Sequence, residues 1–192
     1  MESKNTGTKV ITGEGIFSYL NCWEPRAASE DATPKYSVSF IFPKTDKVTH
    51  DKIMSAMRAA YENGQSTLKG NGKVAPAFER IKLALRDGDE KYNEGGDEIY
   101  KGCWFVNASS KTAPGIVDRN RVEIIDRKEM YSGVIGRAAI NFYAYNTNGN
   151  RGIAAGLNNL QKIRDGAPLG GASRAEDDFN DGYNPEDDEL FE

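Results

Sequence analysis

Two stretches of this chain, each seven residues or longer, alternate apolar and polar residues with the two-residue period of a half-buried strand, whereas a single stretch repeats with the period of a helix. Between Val134 and Tyr145, the residues Val134, Ala138, Ile140, Phe142 and Ala144 fall on one face, and Arg137, Asn141, Tyr143 and Tyr145 fall on the other. Tyr36, Val38, Phe40 and Phe42 alternate with Ser37, Ser39 and Ile41 until Pro43 ends the run. Ile53, Met57, Ala60 and Tyr61 instead recur at helical spacing, which predicts a helix from Val48 to about Thr67. Thr49 is placed to cap it, with Asp51 in the first turn, and Asn63-Gly64 marks its end.

The remaining pattern is short and β-rich. Lys9 to Trp23 reads as one long strand bent at Gly13 and Gly15. Ile81, Leu83 and Leu85 alternate with Lys82, Ala84 and Arg86 until Asp87-Gly88-Asp89 breaks the run as a tight turn. Ile99 to Ala108 and Val122 to Ile125 complete the set, separated by a Pro114-Gly115 turn, and Val134 to Tyr145 is the last long strand. About five strands around one inserted helix make no βαβ repeat. They fit a mainly β fold, a five-stranded antiparallel barrel like the OB-fold, the barrel version with nucleic-acid chemistry.

Composition narrows the function. No apolar run approaches the roughly 18 residues of a membrane-spanning helix, and the N-terminus lacks the apolar stretch of a signal peptide, so a cytoplasmic protein with no membrane partner is expected. Cys22 and Cys103 are the only thiols and His50 the only imidazole, which removes histidine triads and cysteine-histidine metal sites. Asp87, Asp89 and Asp97 lack the glutamate of a calcium loop, and Asp118, Glu123 and Asp126 lack a diagnostic two-metal spacing. No metal and no cofactor are expected, and an enzyme is not.

Charge is divided unevenly. The last 18 residues, from Ala175 to Glu192, carry nine acids and no base, which leaves a body with 25 basic and 20 acidic residues. A mildly basic body at residues 1–172 and an acidic flexible tail at residues 173–192 suggest polyanion binding plus an interaction tail. As a random coil, the 18 tail residues would reach about 24 Å, enough to visit a face of the body.

Aromatic residues near bases supply candidate platforms, because every nucleobase has a face to stack on and every phosphate attracts a cation. Tyr36 lies beside Lys35, Tyr100 and Trp104 flank Lys101, and Tyr143 and Tyr145 share a face with Arg137. Arg119 and Arg121 flank Asn120 in a loop able to clamp backbone phosphate. Phe40, Phe42 and Phe142 belong to the core by parity.

The segments "PKYSVSFIFPKTD", "LRDGDEKY", "YKGCWFVNASSKTAPGIVDRN", "YSGVIGRAAINFYAYNTNGNRGIAAGLNNLQKIRDG" and "AEDDF", spread over residues 8–179, resemble a family of bacteriophage OB-fold single-stranded-DNA-binding proteins. That family is similar in architecture to phage helix-destabilising replication proteins. The resemblance implies single-stranded-DNA binding in phage replication, recombination or repair. It also implies an acidic tail, here Asp187, Asp188, Glu189, Leu190 and Phe191, that recruits replication or recombination enzymes. A strand-annealing protein, a protein-binding adaptor whose tail mimics nucleic acid, and homo-oligomerisation all stay open on the sequence.

Overall fold

A computed structural model describes residues 7–170, and these are mainly β with a few short helices. The tail residues Asp187, Asp188, Glu189, Leu190 and Phe191 and the expected boundary at residue 172 lie outside the described residues. No helix among the described residues is long and apolar enough to cross a membrane.

The expected first strand is two strands, β1 (Lys9–Ile11) and β2 (Gly15–Arg26). The corner between them docks on the start of helix α1 (Lys47–Asn63). There the Gly13 N–H donates to the Thr49 hydroxyl at 2.8 Å, and a Cβ on Gly13 would meet the Asp46 carboxylate at 2.7 Å. Thr49 is therefore not the helix cap. Asp46 caps α1, its carboxylate accepting from the Thr49 N–H at 3.0 Å. Strand β3 (Lys35–Pro43) follows β2 as an antiparallel partner. Helix α1 ends at Gly64, and a separate short helix α2 (Gln65–Lys69) continues the expected run.

Strand β4 (Leu85–Asp87) is shorter than its sequence pattern. The expected Asp87-Gly88-Asp89 turn is instead the start of helix α3 (Gly88–Asn93), with the Asp87 carboxylate accepting from the Asp89 N–H at 2.8 Å. A 3-10 turn (Glu98–Tyr100) replaces the start of the strand expected from Ile99, which begins only at β5 (Cys103–Ser110). After β6 (Gly115–Val117), the Val122 to Ile125 segment contributes one bridge, Glu123 to Val117, and no strand. Strand β7 (Ile135–Thr147) agrees with the alternation, and its Ala138, Ile140 and Phe142 are buried.

Strand β8 (Asn150–Arg164) has no counterpart in the sequence reading, although it pairs with β7 from Thr147↔Asn150 to Ile135↔Arg164. Its inward residues are Ile153, Ala155 and Leu157, then Leu160 and Lys162. The two-residue period slips at Asn158, where the ladder passes from Ile140↔Leu157 to Ala139↔Asn159.

The pairings β7–β2, β2–β3, β3–β5, β5–β8 and β8–β7 form a closed circuit of five strands. Within this circuit one pairing departs from the all-antiparallel expectation, β5 and β8 running parallel at Ala108↔Ala155 and Ser109↔Gly156. Outside it, β6 also runs parallel to β8. The circuit closes between β2 and β7 at Gly15↔Gly136. A Cβ on Gly136 would strike the Gln161 carbonyl and the Phe17 ring, and one on Gly15 would strike the Phe40 ring. The missing side chains let Phe17 and Phe40 fill the interior at the seam.

That interior also holds Phe42, Val106, Ile140, Phe142 and Leu160, with Ile53, Met57 and Ala60 of α1 packed against it. A smaller cluster of Ile41, Tyr100 and Phe105 lies on the other face of β3 and β5. The ammonium of Lys44 ties α3 to the end of β3, 2.6 Å from Asp87 and 2.7 Å from Asp89. The bond to Lys44 holds the Asp87 carboxyl below its ordinary pKa. Asp89 is lowered by the Gly102 N–H and then by Lys44.

Carboxyls with folded pKa values below their unfolded ones stabilise the fold above the unfolded value, near 3.8. That stabilisation is lost as pH falls through the folded values. Melting temperature measured from pH 6 to pH 3 should therefore decline less steeply below about pH 4 in Asp87→Asn/Asp89→Asn than in the wild type. Equal slopes would show that the cluster is not linked to folding.

Candidate nucleic-acid interface

The outward side chains of β7 stand over an almost bare strand. Tyr145 faces Gly152, Tyr143 faces Ala154 and Asn141 faces Gly156, so at these three positions neighbouring β8 offers nothing larger than a methyl group. The Tyr143 ring lies 3.7 Å from where a Cβ on Gly156 would sit, and the Tyr145 hydroxyl 2.9 Å from one on Gly152. Tyr143 is 43 % exposed despite its position in a central ladder. Two rings above a floor of glycine and alanine form the wall of a groove.

The opposite wall comes from the chain entering β4. The Lys82 N–H donates to the Arg151 carbonyl at 3.2 Å, and the Lys82 carbonyl accepts from the Ile153 N–H at 2.8 Å. Leu85 to Asp87 then pair with β5, so this segment spans the gap between β8 and β5. The result is an open cleft of about 640 Å³ between Tyr143 and Tyr145 on one side and Lys82 and Arg86 on the other. Asn107, Ser109 and Ala154 also line it. Lys82 and Arg86 are exposed, and the Arg86 guanidinium sits 5.2 Å over the Phe105 ring. The cleft combines stacking faces, small polar groups and two cations, which is the chemistry a single strand requires.

The structure divides the other expected residues. Arg137 lies on the same face of β7 as the tyrosines, but about 20 Å along the strand from Tyr143, at a rise of about 3.4 Å per residue. Its Nε donates to the Thr12 carbonyl at 2.9 Å, and its ladder partner is Gln161. Gln161 reaches the loop of Arg119 and Arg121 through a 3.2 Å bond from Nε2 to the Asp118 carbonyl. Arg119 and Arg121 are exposed, and Arg121 has φ +66°. The three arginines thus form a second group at the far end of the β7–β8 ladder.

Three aromatic candidates stand apart from the cleft. Tyr100 is 1 % exposed and packs edge-on to Phe105 at 5.0 Å, so it is a core residue whose ring offers no free face for stacking. Trp104 is half-buried, with the Lys44 ammonium 4.7 Å over its ring and the His50 ring at 5.2 Å. Tyr36 pairs with Ser110 at the start of β3 and shares the inward alternation of Val38 and Phe40.

Sequence reasoning did not single out Lys82, Arg86, Asn107 or Ser109. Lys82 and Arg86 already lay on the polar side of the Ile81–Leu85 alternation, a signal that basic residues share one face there. Among the described residues, no group of three or more His, Cys, Asp or Glu side chains could hold a metal ion.

Comparison with known proteins gives the chain a family and its fold several relatives. The chain is 30 % identical over 182 residues to protein p50 of Acyrthosiphon pisum secondary endosymbiont phage 1, covering 91 % of this chain and 94 % of that protein. Its fold is similar to the single-stranded-DNA-binding protein of bacteriophage Enc34 in complex with single-stranded DNA, with a TM-score of 0.65 and 23 % identity. That match covers 85 % of this chain and 90 % of the other. The fold also resembles gp2.5, a single-stranded-DNA-binding protein of bacteriophage T7, at a TM-score of 0.59 and 14 % identity over 92 % of this chain and 97 % of that one. The model of the Enterobacter phage Enc34 single-stranded-DNA-binding protein family matches residues 8–191, and the chain belongs to that phage family.

Proposed function

We propose that the chain binds single-stranded DNA without sequence preference, on an OB-like five-stranded barrel formed by the β7–β2–β3–β5–β8 circuit. The observation that carries this reading is the cleft in which Tyr143 and Tyr145 stand over small residues opposite Lys82 and Arg86. Stacking on the tyrosines is indifferent to base identity, and the two cations meet the backbone. Family membership and the likeness to the Enc34 and T7 proteins support the same ligand. The setting we infer is phage replication, recombination or repair in the host cytoplasm. There the acidic tail competes with DNA and recruits partner enzymes through Asp187, Asp188, Glu189, Leu190 and Phe191. The chain acts by binding and performs no chemistry on the strand.

Affinity of a labelled oligo-dT across a salt series tests the assignment. Each phosphate neutralised on a single strand contributes about −0.7 to the slope of log K against log salt. Lys82→Ala and Arg86→Ala should each make that slope shallower by about 0.7. Unchanged slopes in both variants would place the phosphates elsewhere, and release of shorter products on adding magnesium would replace binding with nuclease activity.

A further inference from the structure

Strand β2 carries an aromatic side chain that the core does not use. Ser18 pairs with Ser39 and Asn21 with Ser37, so Tyr19 and Leu20 together oppose Val38, a bulge of two residues against one. Leu20 turns inward to the core, while Tyr19 turns outward and is 63 % exposed. Tyr19 holds φ +46°, a backbone region that bulky side chains rarely occupy. Such conformations persist where the fold over-determines them, and they concentrate at binding sites.

Tyr19 stands at the end of a row that begins in the cleft. Ser109, which lines the cleft, pairs with Gly156 of β8 on one side and with Ser37 of β3 on the other. Ser37 in turn pairs with Asn21 of β2, whose Nδ2 donates to the Ser37 hydroxyl at 3.0 Å and to the Tyr19 carbonyl at 3.2 Å. A floor of short side chains therefore crosses the strands from β8 to β2 and ends at Tyr19. From β7 to β2 it covers four inter-strand spacings, about 19 Å. At its end Tyr19 lines a recess of about 300 Å³ with Lys91, Glu94, Asp97 and the edge of Tyr100. The Lys91 ammonium already lies 5.2 Å over the Tyr100 ring, and two carboxylates stand beside it, so the recess suits a base better than a phosphate.

We propose that Tyr19 is a second stacking platform for the DNA strand, which crosses the β-strands from the Tyr143/Tyr145 cleft over Ser109, Ser37 and Asn21. This rests on the single-stranded-DNA reading and adds a direction and a second anchor to it.

Titration of wild type, Tyr19→Gly and Tyr19→Phe with labelled oligo-dT at several salt concentrations, with melting temperatures on the same samples, tests the proposal. Tyr19→Gly should weaken binding about 5- to 150-fold with an unchanged salt slope, and Tyr19→Phe should bind like wild type. Glycine accepts a positive φ, so Tyr19→Gly should melt at the wild-type temperature or above. A structural tyrosine would instead lose affinity and melting temperature together, which would overturn the proposal. Wild-type affinity in Tyr19→Gly, or an equal loss in Tyr19→Phe, would overturn it while leaving the cleft intact. Failure of the wild type itself to bind oligo-dT would remove the functional reading and this platform with it.

Discussion

Replacing Tyr143 and Tyr145 together with alanine is expected to cost about 2–6 kcal/mol of affinity for single-stranded DNA, taking about 1–3 kcal/mol for each stacked base. Both rings lie on the outward face of β7, over Ala154 and Gly152, and neither belongs to the buried core. Removing them uncovers little apolar surface, so thermal stability should change by no more than about 0.5 kcal/mol per site. The paired phenylalanine variant keeps the stacking faces and should retain wild-type affinity. Affinity and melting temperature measured on the same proteins separate the two roles. A large drop in melting temperature would make the rings structural, and an equal loss of affinity in the phenylalanine variant would make the hydroxyls, rather than the faces, the binding groups.

Deletion of residues 175–192 is expected to tighten DNA binding by about tenfold at low salt. The segment carries nine acids and no base, tethered to a body with a surplus of five positive charges. A tethered competitor acts at an effective concentration in the millimolar range. If its own affinity for the basic face is near 0.1 mM, about that of weak non-specific polyanion binding, it occupies the face about ten times more often than it leaves it free. Added salt should erase the difference, because both the tail and the DNA bind through screened charges. Weaker binding by the truncated chain, or no change at low salt, would show that the tail does not compete.

Alternation placed β3 and β7 and the inward faces of both, because the large inward residues of each keep one parity against the main core, even though Ile41 on the other face of β3 joins the smaller cluster. Helix α1 was equally plain, since Ile53, Met57 and Ala60 lie on one stripe buried against the core. Strand β8 was hidden for two physical reasons. Gly152, Gly156, Asn158 and Asn159 have poor intrinsic strand preference, and the slip at Asn158 breaks the period that would have revealed it. Those same glycines create the open floor beneath Tyr143 and Tyr145, so the feature that concealed the strand also shapes the groove.

Helix α3 was concealed by local chemistry that serves two structures. Asp-Gly-Asp makes a tight turn in isolation, but here Asp87 is a helix cap. Gly88 is required because a Cβ there would collide with the Tyr100 and Cys103 carbonyls. Tyr100 shows the limit of reading aromatics by their neighbours. Lys101 beside it suggested a binding platform, yet the turn at Glu98–Tyr100 folds the ring onto Phe105 and Ile41. Parity along β7 correctly grouped Tyr143 with Tyr145. It could not show that Arg137, on the same face, serves the opposite end of the ladder.

The most direct test is the affinity of the full chain for labelled oligo-dT and for a duplex of equal length, each measured at low and high salt. Binding to the single strand should be the tighter, and its log–log salt slope should be about −0.7 for each phosphate contacted. A preference for duplex, or an affinity independent of salt, would contradict the account.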